Sequence, residues 1–211
     1  MAYKKATFTE SVFVNFPFDD NYLELFRGLI FTVYYCGFFP RTALEDNSAT
    51  EHRLDKIYSM IEESKYGIQD LSRVELDPDN NLPRFNMPFE LGLFLGCNKY
   101  SEARNQKLKK CMILDVNRHR FKISLSDIGG IDGYGHENNH EKIIKSVRDW
   151  LHTTSRKNSI PSTLIIKQKY KIFLKELPEV CNDLQWDFND LNYNEFLTIV
   201  EEWIDVNKEE I

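Results

Sequence analysis

Apolar residues fall along the first 150 positions in two alternating patterns. Ser11-Val12-Phe13-Val14-Asn15-Phe16 is a short β-branched and aromatic run ended by Pro17 and Asp19-Asp20, which predicts a buried strand, a loop and a helix cap. Leu23, Phe26, Leu29, Ile30, Val33 and Tyr34 then recur at helical spacing up to Gly37, a residue suited to closing a helix. Phe38-Phe39-Pro40-Arg41 predicts a second strand. After a polar loop through Asn47 and Ser48, Leu54, Ile57, Tyr58 and Ile61 predict the apolar face of a second helix. Residues 66–71 and 110–115 predict a third and a fourth strand, with Asp70 and Asp115 at their carboxyl ends.

Between those strands, Arg84-Phe85-Asn86-Met87-Pro88-Phe89-Glu90-Leu91-Gly92-Leu93-Phe94-Leu95-Gly96 predicts a third helix. Asn86 suits its N-cap, Pro88 its first turn, and Gly92 and Gly96 a face laid close against a sheet. Glu90 is the one carboxylate in this apolar run, near the helix start, where the dipole favours an ionised acid.

The alternation predicts an α/β domain over residues 1–152: a flavodoxin/Rossmann-like parallel sheet of four to five strands flanked by helices. Residues 117–139 are the least regular segment and read as a lid or binding loop, with Asp127 among its polar side chains. Ile143, Ile144, Val147, Trp150 and Leu151 predict the helix that closes the domain. A linker-like stretch follows. Helical patterns over 164–177 and 193–206, with a shorter one near 180–184, predict a small helical C-terminal appendage over residues 153–211. Its last residues, Lys208-Glu209-Glu210, read as a solvated tail.

Composition narrows the function classes. With 27 Lys and Arg against 33 Asp and Glu, the formal charge of −6 argues against bulk nucleic-acid binding. The four cysteines, Cys36, Cys97, Cys111 and Cys181, have no paired or metal-type spacing and read as reduced thiols. No secretory signal and no bilayer-length apolar run is evident, so a cytoplasmic protein without a membrane partner is expected. His136 and His140 stand four apart but lack a third ligand, so no metal is expected. The glycines at 129, 130, 133 and 135 match no phosphate-binding fingerprint, and no Gly-x-Ser-x-Gly elbow is present.

Parallel sheets carry their functional groups at the carboxyl ends of the strands. Asn15, Arg41, Asp70 and Asp115 end strands, and the helix after the third strand brings Glu90 to that rim. Paired carboxylates are what cleavage of a glycosidic bond commonly uses, so Glu90 and Asp70 are the catalytic candidates, expected to share an open cleft with carboxyl groups ~5–10 Å apart. Arg41, Arg73 and Arg84 offer planar forks for phosphate, and Phe16, Phe18 and Phe85 could stack a base.

These residues resemble a known superfamily. The Phe89-Glu90-Leu91-Gly92 segment resembles the nucleophile helix of nucleoside 2-deoxyribosyltransferases, and Gly67-Ile68-Gln69-Asp70-Leu71-Ser72 their strand-end acid. Val12-Phe13-Val14-Asn15 resembles the first strand shared with TIR domains, some of which hydrolyse NAD. Residues 11–150, including Ser126-Asp127-Ile128-Gly129-Gly130, also look like a bacterial group with this arrangement. The resemblance implies Glu90 as nucleophile, Asp70 as an orienting acid, and Asn15, Arg84 and Asn86 as contacts near sugar or phosphate. Ser72 and Asp127 fall within the matched segments and join the substrate-binding candidates.

The expectation is therefore an N-glycosidic-bond-cleaving enzyme acting on a nucleotide, NAD or nucleoside as substrate, without a cofactor. By family analogy it would be a bacterial defence or toxin effector. The alternative is a non-catalytic nucleotide sensor that signals through its C-terminal helices, which are also the expected route to a homo-oligomer or partner protein.

Overall fold

The computed structural model describes residues 6–45, 52–74, 76 and 81–207; Asn47, Ser48 and the Lys208-Glu209-Glu210 tail lie outside them. Five strands, β1 (Ser11–Asn15), β2 (Phe39–Arg41), β3 (Tyr66–Asp70), β4 (Lys110–Asp115) and β5 (Gly133–Gly135), form one sheet in the order β2-β1-β3-β4-β5. Every pairing is parallel. This is the doubly wound flavodoxin-like order, whose topological switch falls between β1 and β3.

Short buried strands explain the apolar runs: all five residues of β1 and of β3 are buried. Alternation along them sends side chains to opposite faces. Phe13 packs with Ile57, Met60, Ile61 and Phe94 on the face covered by α2 (Arg53–Glu63) and α3 (Asn86–Tyr100). Val12, Val14, Tyr66 and Ile68 face α1 (Leu23–Tyr35) and α4 (His140–Ser155).

Helix α1 is apolar nearly all round because it is covered from outside as well. Helices α5 (Thr163–Asp183) and α6 (Tyr193–Asn207) pack on it, and Tyr170, Phe173, Phe196 and Trp203 share one continuous core with α1 and the sheet. The segment after residue 153 is helical, as its spacing predicts, and forms a third layer over α1. The two patterns over 164–184 are a single helix that continues through Pro178.

Four local expectations change. Segment 117–139 carries the short edge strand β5 and two single-turn helices as well as loop. Leu54 and Tyr58 are exposed; Met60 takes the buried position beside Ile57 and Ile61. Helix α3 begins at Asn86, so Phe85 occupies the N-cap and no side chain caps the helix. Gly92 and Gly96 turn away from the sheet, for a Cβ on Gly92 would meet nothing within 4 Å. The close approach is made instead by Gly67, where a Cβ would stand 2.7 Å from the Phe94 ring. Gly37 does close α1, with a φ of 76° and its amide bonded to Tyr34 O.

Candidate functional site

Helix α3 lays Met87, Glu90, Leu91 and Phe94 toward the sheet. Phe94 covers Gly67, and one helical turn back toward the rim matches two residues along β3, both about 6 Å, so Glu90 comes over Gln69. The helix start is tied down from β1: Asn15 Nδ2 donates to Met87 O at 3.0 Å and to Gln69 Oε1 at 2.9 Å. Gln69 is fully buried, and its Nε2 has no partner among the described residues.

Glu90 is 6% exposed, and no hydrogen bond or ion pair reaches its carboxyl among the described residues. Burial pushes its pKa up to about 7, with the Arg53 cation pulling the other way. This corrects the expectation of a carboxylate kept ionised by the helix dipole. Glu90 lies a full turn inside α3, on the covered side, where desolvation outweighs the dipole. Arg53, at the start of α2, also lies over the Phe18 ring, 5.6 Å from its centroid. Phe18 is 40% exposed and packs on Phe16 at 4.7 Å. A free acid, a free amide donor, an exposed arginine and an aromatic ring therefore meet at the β1/β3 switch, the usual place for a ligand in such sheets.

Asp70 has a different environment. Its position on β3 directs it to the α1 side of the sheet, away from α3. It is fully buried; Tyr22 donates its hydroxyl at 2.5 Å and the Ser72 amide donates at 2.8 Å. His136 Nε2 stands 3.3 Å away, close enough to act electrostatically but off the line of a well-formed hydrogen bond. Burial alone would raise the Asp70 pKa; His136, Ser72 and Tyr22 together hold it below the ordinary value. Asp70 is thus bound up with these partners and does not share an open cleft with Glu90. The Asn138 amide donates to His136 Nδ1, across a turn in which Glu137 and Asn138 both take left-handed backbone conformations.

The other predicted residues scatter. Arg41 is engaged by Glu45 at 2.8 Å and Glu63 at 2.7 Å. Arg73 stands 3.5 Å from Asp19. Ser72 is buried, and its carbonyl accepts from Arg120, which also pairs with Asp115. Arg84, Asn86 and Asp127 are exposed, and Phe16 is buried against Tyr22 and Phe26. The structure brings Asn15 and Phe18 to the surroundings of Glu90; it leaves Arg41 and Asp70 with partners of their own.

Gln69, Arg53, Tyr22 and His136 were missed as site residues. Gln69 carried a signal, being a polar residue on the same strand face as Asn15. Arg53, on an ordinary polar helix start, carried none. No group of three or more His, Cys, Asp or Glu able to hold a metal occurs among the described residues. Nor is any helix there long and apolar enough to cross a membrane. Comparison with protein-family models, with curated proteins and with solved structures gives no match.

Proposed function

We propose that the protein cleaves an N-glycosidic bond in a nucleotide, NAD or nucleoside, with Glu90 as the carboxylate that meets the anomeric carbon. The observation that carries this reading is Glu90 itself: a buried residue at the rim, without a side-chain partner among the described residues, and raised to about 7. A fold that buries an acid without a donor leaves it free to bond to something else. The motif around it resembles the nucleophile helix described above.

In the reaction, the bond between the anomeric carbon and the base nitrogen breaks and its electron pair leaves with the base. A Glu90 Oε–carbon ester forms, and water then hydrolyses it and regenerates the acid. Gln69 Nε2, itself closed to solvent, is a donor for the carboxylate as it ionises. Arg53 stabilises that ionised form and offers a fork to a phosphate. Asp70 acts at a distance, by fixing the start of α1 and the β5–α4 turn.

A panel of NAD, nucleotides and nucleosides, incubated with protein and resolved by chromatography, should show free base. Glu90→Gln should lower release by at least ~100-fold. Equal release by the variant would refute the mechanism. A second reading, a sensor that binds nucleotide without cleaving it, draws on the continuous core joining α1 to α5 and α6. It predicts saturable binding with no free base at any incubation time.

A further inference from the structure

Two helices of the fold are apolar on more than the side that meets the sheet. Helix α1 is covered from outside by α5 and α6, whereas among the described residues nothing comparable lies over α3. From Phe85 through Asn98 its one charged residue is Glu90, which faces inward. The outward positions are Phe85, Phe89, Gly92, Gly96 and Tyr100, whose spacings of four and three place them in one stripe. Phe85, Phe89 and Tyr100 are 67%, 52% and 82% exposed. A Cβ on Gly92 would meet nothing within 4 Å, and one on Gly96 only the Tyr100 ring at 4.0 Å. A surface helix ordinarily turns charged side chains outward, and one left apolar there marks a contact surface.

The occupant follows from the order of large and small along the stripe. Aromatic residues stand at both ends and glycines at the centre. A copy of the same helix laid antiparallel, about a two-fold axis midway between Gly92 and Gly96, matches large to small. Phe89 of each copy then falls beside Gly96 and Tyr100 of the other, and the glycines let the helix axes approach to about 8 Å. Charge agrees with this. The formal charge of −6 opposes the approach of a second copy in general, but this stripe is uncharged between Arg84 and Lys99. The C-terminal helices, the other expected route to an oligomer, turn Tyr170, Phe173, Phe196 and Trp203 onto α1 instead. We propose that α3 pairs with α3 of a second copy through this stripe. With 15 residues α3 is about 22 Å long and about 10 Å wide, well short of the ~800 Å² per partner of a standard interface. The dimer therefore forms at micromolar concentration and above, and the bare monomer persists below it. The pairing lies on the opposite side of α3 from Glu90 and does not depend on the chemistry proposed there.

Sedimentation velocity of the full chain from about 1 to about 500 μM tests this. The mass should rise from the 25.0 kDa of one chain toward twice that and stop there, because a two-fold contact closes on itself. Gly92→Lys, which sets a long cation from each copy at the crossing, and Phe89→Ser should each weaken association at least about tenfold. Both positions are exposed, so circular dichroism should show each variant folded. Leu164→Ser, which removes a similarly exposed apolar side chain from α5, should associate like the unaltered chain. A single-chain mass at every concentration would leave the stripe to a different partner and overturn the proposal, as would open-ended assembly. Unchanged association by folded Gly92→Lys and Phe89→Ser, or its loss in Leu164→Ser, would place the interface elsewhere and overturn it equally.

Discussion

Two carboxylates at the same rim, one residue type apart and both buried, have opposite surroundings. Asp70, on the α1 side, has Tyr22, Ser72 and His136 around it and is held more acidic than an ordinary aspartate. Glu90, on the α3 side, has no side-chain partner among the described residues and is held at about 7 by burial, against the opposing charge of Arg53. Burial is common to both; donors, among the described residues, are not. The pair shows how a fold separates a carboxylate surrounded by donors from one that, among the described residues, has none.

The largest expected effect comes from breaking the satisfied side. Asp70→Ala strips the buried Tyr22 hydroxyl and Ser72 amide of their acceptor and should destabilise by about 3–5 kcal/mol in urea denaturation. A loss below about 1 kcal/mol would mean the cluster is not what fixes the rim.

Glu90→Gln should move stability the other way, and only above acid pH. Folded Glu90 keeps its proton up to about pH 7, whereas the unfolded side chain releases it near 4.5. Between those values the folded state binds more protons, so the native chain loses stability as pH rises. The variant lacks that loss. It should match the native chain near pH 4 and exceed it at pH 8 by up to about 3 kcal/mol, the equivalent of the shift from 4.5 to about 7. Asp70 has the reverse dependence: its contribution is present above 3.8 and lost as pH falls through its lowered folded value. A variant equally or less stable at pH 8 would place unseen donors around Glu90.

Much of this was legible beforehand. Strand positions follow from β-branched and aromatic runs bounded by turn residues, so β1, β3 and β4 read directly. Glu90 stood out as one charge in an apolar helix. Glu90 and Asp70 do not pair, because lying at one rim says nothing about which face of the sheet a side chain takes. Alternation along β3 decides that: Gln69, not Asp70, faces α3. Gly92 and Gly96 misled for a related reason. Four-residue spacing gives a common face without saying which way it points, and Met87, Glu90, Leu91 and Phe94 claimed the inner one.

The smallest effect tests that orientation. Gly92→Ala places a methyl in open space on a helix and should stabilise by about 0.5–1 kcal/mol without altering Glu90. A destabilised variant would put that face in contact with something.

The most direct test is a carbon-13 NMR titration of the Glu90 carboxyl, assigned by its disappearance in Glu90→Gln. A midpoint at about 7 is predicted for an acid buried without a donor. A midpoint near the ordinary 4.5 would show the group solvated or paired, and would contradict the claim that this rim holds a carboxyl in reserve for a ligand.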